Sequence, residues 1–463
     1  MEEKIKVLSL FSSGGVAEAH LEDLDIEILI ANEIRKDRCK FYKYLYPKTE
    51  MIEGDITNNL IKKRIIDHSM KKKINCIIAT PPCQGMSIAG NMNKLDSRNQ
   101  LITYGIEVIK KIKPKFVMLE NVPLQLTTKI EHKGKIVLIP DFIQYELKDM
   151  YNFNNDFLVK TMDYGIPQMR KRNIFLLVRK DLNFSWNFPT PKSKILNLRE
   201  ALKNVPSIDP YLREGAEETL KLFPEFEKKR KIGIKFSKWH YPPTHAKRHV
   251  EWMMKTPSGK TAFDNEHYFP QKENGKKISG HYNHYRRHSW DKPSRSLTQN
   301  NGVISSLACV HPGYCLKEGK EKKRIYSDAR CFSIYELLII SSLPLDWNIP
   351  EWIKESDIRK INSEMIKMKS EKEKNQPTRI KTSGSTFKNP VNQTNKKVWE
   401  LIRESVSLDT KFGDACISNK HSNFFVNKGN ATFKDMKKLI DFVSQKVFEK
   451  TGVKLDNEIK ILE

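Results

Sequence analysis

The residues best suited to covalent chemistry lie in Ala79-Thr80-Pro81-Pro82-Cys83-Gln84-Gly85. An apolar run ends at a double proline, which stiffens the turn that presents the thiol. A thiol whose surroundings lower its pKa becomes a nucleophile; a buried structural cysteine after a strand is the competing reading. Glu120, in Glu120-Asn121-Val122-Pro123, closes another apolar run. A carboxyl group there would share the edge with the thiol and suit proton donation to a ring nitrogen. Arg170 and Arg172 lie two residues apart, on one face if extended, spaced for phosphate or carbonyl oxygens. A solvated basic edge is the alternative.

These residues need a scaffold, and the first 180 positions spell one. Lys6–Phe11, Ile26–Ala31, Cys76–Ala79, Phe116–Leu119 and Ile174–Val178 are short apolar, β-branched runs with amphipathic stretches between them. That alternation predicts a mostly parallel α/β sheet, whose ligands gather at the carboxyl ends of the strands. Phe11-Ser12-Ser13-Gly14-Gly15 lacks dinucleotide GxGxxG spacing, but its small residues let a ligand approach the backbone. Glu33 closes the second run, where an acid commonly holds ribose hydroxyls. Asp55, in Glu53-Gly54-Asp55-Ile56, is a third candidate contact.

A chain of 463 residues is too long for one ordinary domain, so two or three are expected. Its net charge of +26 favours a polyanionic partner, although an AT-rich coding sequence gives the same lysine excess. Between Lys231 and Trp290, twelve Lys/Arg face four Asp/Glu, interleaved with Trp239, Tyr241, Trp252, Tyr268, Tyr282 and Tyr285, which points to nucleic acid. His240, His245, His249, His267, His281, His284 and His288 cluster there. No cysteine falls nearby at ligand spacing, so phosphate or base contact is expected of them and no metal site. The seven cysteines form no CxxC pair, which argues against a zinc ribbon or a secreted disulfide scaffold. With neither a signal peptide nor an apolar span of eighteen residues, a cytoplasmic protein with no membrane partner is expected.

Taken in order, Phe11-Ser-Ser-Gly-Gly, Glu33, Gly54-Asp-Ile, Pro81-Pro-Cys-Gln, Glu120-Asn-Val and Gln168-x-Arg-x-Arg resemble the motifs of bacterial DNA cytosine-C5 methyltransferases. Arg295-Ser-Leu-Thr298 is similar to that family's later motif, and the match covers about residues 4–347. The resemblance implies a Rossmann-like sheet binding S-adenosylmethionine, with a target-recognition domain that meets double-stranded DNA. It implies that Cys83 adds to C6 of a flipped cytosine while Glu120 acts at N3, and that Arg170 and Arg172 hold the reactive loop and the base. Phe11, Gly14, Gly15, Glu33, Asp55 and Pro81 would line the cofactor site; Gln84, Ser87, Arg295 and Thr298 would face DNA. A cognate restriction endonuclease is an implied partner.

The domains expected are a catalytic part at 1–189, target recognition at 190–290, a return to the catalytic part at 291–350, a linker at 351–375 and a small α+β domain at 376–463. Ser383-Gly-Ser385-Thr-Phe-Lys-Asn-Pro390, Lys420-His-Ser-Asn-Phe-Phe-Val-Asn427 and Leu455-Asp-Asn-Glu458 resemble the C-terminal domain of UDP-N-acetylenolpyruvoylglucosamine reductase. Ser385 and Glu458 take the positions of that family's proton donor and its partner. Nothing upstream resembles the flavin-binding half, so no flavin is expected from this chain alone. Gly429-Asn-Ala431 imitates the methyltransferase closing motif, but its neighbours favour the reductase reading. An impaired DNA-binding fusion and a subunit of a split reductase are the alternatives.

Overall fold

The structure, a computed structural model, describes residues 3–82, 97–192, 194–272, 274–297, 302–307, 309–353 and 381–459. Two compact units divide the chain, Met1–Glu355 and Ser356–Glu463. The first opens with strands β1 (Ile5–Leu10), β2 (Ile26–Glu33), β3 (Glu50–Glu53), β4 (Cys76–Ala79) and β5 (Phe116–Asn121). Hairpin β6 (Lys129–His132) and β7 (Lys135–Leu138) follows, then β8 (Tyr151–Phe153), β9 (Leu158–Lys160), β10 (Gln168–Met169) and β11 (Lys171–Arg179). Helices α1 (Lys36–Leu45), α2 (Asn59–Lys71), α3 (Leu101–Ile112) and α4 (Ile139–Leu147) lie between them.

The first five strands pair in parallel in the order β3-β2-β1-β4-β5. Val7–Leu10 and all of β4 are buried, as expected of strands covered on both faces. On α3, Ile102, Ile106 and Ile109 recur at helical spacing and are buried in the same core as Leu8, Ile77 and Val117. The chain runs outward from β1 to β3 and returns to β4 on the other side of β1. Loops leaving β1 and β4 therefore diverge and open a crevice at the carboxyl edge.

Beyond β5 the sheet turns antiparallel: β11 pairs with β5 on one side and with β8 and β9 on the other. An antiparallel neighbour begins where a parallel one ends. The start of β11 consequently stands at the edge where β1, β2, β4 and β5 finish.

Leu212, Trp252, Tyr285, Val310 and Cys331 belong to an apolar cluster separate from that of the sheet. Two fully buried arginines brace it. Arg330 pairs with Asp328 and Glu336 at 2.7 Å each, and Arg287 donates to the carbonyls of Met253, His311, Ser327 and Asp328. A buried cation with all its donors matched replaces its lost hydration, whereas removing one partner leaves an uncompensated charge.

The second unit is a four-stranded antiparallel sheet in the order Lys381–Ser385, Phe424–Asn427, Ala415–Ile417, Lys411–Phe412. Helices Val398–Ser405 and Phe433–Thr451 bury Leu401, Ile402, Leu439 and Val443 in a core with Phe387 and Phe425. Thr432 and Asp435 cap the long helix in a reciprocal box, and Gly452 ends it in the left-handed region.

Candidate active site

Each strand end brings one piece of the site to the carboxyl edge. After β1 the chain turns at Phe11, whose φ of +58° places a non-glycine residue in the left-handed region. Thr80, after β4, donates its hydroxyl to the Phe11 carbonyl at 3.1 Å, and Asn121, ending β5, donates to the Pro81 carbonyl at 3.0 Å. Those bonds fix the Pro81-Pro82 turn to both neighbouring strands. At the end of β2, the buried Glu33 carboxylate accepts from the amides of Ser13 (2.9 Å), Ile34 (3.0 Å) and Arg35 (2.9 Å). Asp55 follows β3 on an exposed turn and accepts from the Thr57 amide at 2.9 Å. Gly54 before it is required, because φ is +145° and a Cβ would meet Ile61 at 2.8 Å.

The opposite wall comes from β5 and β11. Arg172 Nε stands 2.6 Å from Glu120 Oε1 in an ion pair, both side chains mostly shielded from solvent. The β5–β11 register sets that pair, opposing Ile174 to Glu120 and Asn173 to Asn121. An ion pair shielded from solvent favours the charged carboxylate and holds it toward the guanidinium. A cavity of about 940 Å3 lies between the walls, lined by Phe11, Glu33, Asp55, Glu120, Arg170 and Arg172 among others. Pro81 and Pro82 line it too, so Cys83 follows directly in the chain on a residue of the wall.

The sequence-selected residues Phe11, Glu33, Asp55, Pro81, Glu120, Arg170 and Arg172 thus share one cavity. Gly14 and Gly15 do not line it. A Cβ on Gly15 would fall 2.2 Å from the Tyr46 ring, and its carbonyl accepts from Tyr46 Oη at 2.6 Å, so packing against α1 requires this glycine. Arg295 stands outside the cavity, in a short parallel pairing of Ser294 and Arg295 with Gln168 and Met169 of β10. Cys83, Gln84, Ser87, Thr298 and most of the expected linker at 351–375 lie outside the described residues. In the second unit the Glu458 amide donates to the Thr386 carbonyl at 2.9 Å, which brings Glu458 alongside the residue after Ser385.

Asn32, Arg38, Thr80, Gln100 and Tyr104 also line the cavity and were not singled out. Asn32 and Thr80 border residues that were, so the ends of apolar runs were the signal for them; Gln100 and Tyr104 reach the cavity only through the start of α3. The expectation for the histidines needs correcting at three positions. His240 is buried between Ser333 Oγ and the Pro206 carbonyl, both 2.8 Å away; His245 is buried and accepts from the Cys331 amide; His288 is buried and accepts from the Arg295 amide. Trp239, Trp252 and Tyr285 are core residues as well. Among the described residues no cluster of three His, Cys, Asp or Glu is placed to hold a metal ion, and no helix is long and apolar enough to cross a membrane.

Comparison with known proteins identifies the first unit. Residues 5–368 match the C-5 cytosine-specific DNA methylase family. The chain belongs to that family. It is 38% identical over 371 residues to the type II methyltransferase M1.HgaI of Avibacterium volantium, covering 79% of this chain and 96% of that one. It is 34% identical over 189 residues to the type II methyltransferase M.NgoPII of Neisseria gonorrhoeae, 40% of this chain and 51% of the relative. A putative DNA modification methyltransferase encoded within an E. coli prophage shares the fold, with a TM-score of 0.50 at 20% identity over 75% of this chain and 92% of that structure. Residues 376–462 match a different family, the C-terminal domain of UDP-N-acetylenolpyruvoylglucosamine reductase. That segment is 64% identical over 102 residues to the reductase of Pelagibacter ubique, and the chain spans about a third (34%) of that protein's length.

Proposed function

We propose that this chain methylates C5 of a cytosine flipped out of a specific duplex sequence, drawing the methyl group from S-adenosylmethionine. The observation that carries the reading is one cavity shared by an amide-held acid on β2 and an arginine-held acid on β5, with the residue before Cys83 in its wall. The donor set fits the cofactor. Two of Glu33's carboxylate oxygens' roughly four acceptor positions remain on Oε2 at most after the Ile34 and Arg35 amides fill Oε1, and Ser13 uses one of them. The last can take a ribose hydroxyl. Asp55 and Phe11 complete that side, with Pro81 and the apolar faces of Ile34 and Ile56. When bound, S-adenosylmethionine supplies an electrophilic methyl group.

Cytosine C5 is a poor nucleophile. Addition of the Cys83 thiolate to C6 forms a C–S bond and makes C5 enamine-like, while Glu120 supports charge and proton at N3. Arg172 fixes Oε1 of Glu120 and leaves Oε2 for the base. Once C5 carries the methyl group, loss of its proton expels the thiolate and restores the aromatic ring. A duplex hides C6, so the base must be extruded at a cost of a few kcal/mol, offset in part by phosphate contacts from the basic region.

In this reading residues 1–189 and 291–350 form the catalytic part, 190–290 read the target, 351–375 connect, and 376–463 are a fused reductase-type domain without its flavin half. The enzyme acts on DNA in the cytoplasm as the modification partner of a restriction endonuclease, the role that its type II relatives support. Bisulfite sequencing of DNA from cells expressing the chain tests the reaction, and 5-fluorocytosine DNA tests the nucleophile. Fluorine at C5 blocks the final elimination, so wild type should form a denaturation-resistant adduct and Cys83→Ser none. An equal adduct with the serine variant would refute the assignment.

A further inference from the structure

The turn from Gly280 to Arg287 is constrained at nearly every residue and yet holds one aromatic ring in solvent. A Cβ on Gly280 would meet the Phe263 ring at 2.8 Å. Tyr285 is buried against Trp252 and Phe263 with a φ of +47°, a left-handed conformation that costs a bulky residue energy. Arg287 is locked by its four carbonyl acceptors. Asn283 accepts from Arg295 Nη1 at 2.6 Å. Tyr282, in the middle of these anchors, is 53% exposed, while among the described residues the other large apolar side chains between 237 and 297 are at least partly covered.

An exposed tyrosine alone would mean little. This one has a mount. The Arg286 guanidinium lies 4.3 Å from its ring centroid, and Arg286 is itself tied to the Gly259 carbonyl at 2.8 Å. One ring face is covered by a fixed cation and the rest is available, in the basic stretch of the chain. The mount is also linked to the cavity. Arg295, which holds Asn283, pairs alongside Met169, and Ser296 donates to the Met169 carbonyl at 3.0 Å. Arg170 of the cavity wall follows Met169 directly.

We propose that Tyr282 is a DNA-contacting residue of the methylation reaction, stacking its open ring face on a base uncovered when the target cytosine leaves the helix. Arg286 backs the ring and adds positive charge beside the phosphates, and Arg295 positions the turn relative to Arg170. The inference rests on the DNA-methylation reading of the cavity. Stacking of one base on an aromatic side chain corresponds to about a 5- to 150-fold change in affinity.

The test measures binding of the full chain to a short duplex carrying one cytosine opposite an abasic position, by fluorescence polarisation. Tyr282→Ala should weaken binding within that range and Tyr282→Phe should match wild type, with melting temperature and S-adenosylmethionine affinity unchanged in both. Alanine binding within twofold of wild type overturns the proposal, as does a phenylalanine variant as weak as alanine, which would assign the contact to the hydroxyl. Methylation of plasmid DNA by wild type is scored separately. Its absence would count against the methylation reading, while the binding comparison still decides whether Tyr282 touches DNA.

Discussion

Replacing Glu33 with alanine separates what this carboxylate does for the fold from what it does for the cofactor. Three amides lose their acceptor. Those of Ile34 and Arg35 belong to exposed residues and water can replace the carboxylate there, whereas the Ser13 amide lies in the tight turn after β1. The Ser13 amide is partly buried, so the expected loss of stability lies below the about 1–3 kcal/mol of a fully buried unmatched donor. The cofactor loses one charge-assisted hydrogen bond, because three of roughly four acceptor positions are already occupied. Such a bond contributes about 1.5–3 kcal/mol, a loss of about 10- to 150-fold in S-adenosylmethionine affinity. Glu33→Gln should fall between, since its amide keeps an acceptor for Ile34 and Arg35 but presents an N–H to Ser13 or to the ribose. Thermal melting and isothermal titration read the two effects independently. A folded Glu33→Ala variant binding the cofactor within twofold of wild type would refute the ribose assignment.

Other positions make separate tests. Arg172→Ala should lower kcat by about 100-fold through a misplaced Glu120, with Arg172→Lys intermediate and cofactor affinity unchanged; an unchanged kcat in a methyl-transfer assay would remove Arg172 from the site. Burial pushes the Glu18 carboxyl up to about 7 from 4.5, so the folded state holds its proton longer and stability falls as pH rises through that window. Glu18→Gln should therefore gain about 3 kcal/mol over wild type between pH 4.5 and values above 7, and parallel melting curves across that range would contradict it. Burial lowers His311 to about 4 from 6.5, so the unfolded chain takes up its proton first; stability should drop as pH falls between those values, and less in a folded His311→Gln variant. A fragment spanning 376–463 should melt cooperatively around its own core and bind no flavin, as read by calorimetry and flavin fluorescence; a non-cooperative melt would deny it an independent core.

The sequence alone determined the catalytic scaffold where the information is local. A strand buried on both faces reads as an unbroken apolar run, so β1, β2, β4, β5 and β11 were legible, and so were the residues at their ends. Phe11, Glu33, Pro81 and Glu120 could be selected because a strand end is a fixed address in a parallel sheet, and the two arginines because they precede an apolar run. The short β3 was not recognised, since four residues with acids at both ends carry no such run. Strand direction was equally invisible: β11 has the same apolar pattern whether parallel or antiparallel, yet only the antiparallel pairing brings Arg172 to Glu120. Residue type likewise misled for His240, His245, Trp239 and Trp252, which read as a nucleic-acid surface and proved to be core. Whether a basic or polar side chain is buried depends on partners far along the chain, as Arg330 depends on Ile208 and Arg287 on Met253. Periodicity records which face of an element is apolar. Only the folded chain decides which distant carbonyls and carboxylates stand ready to replace water.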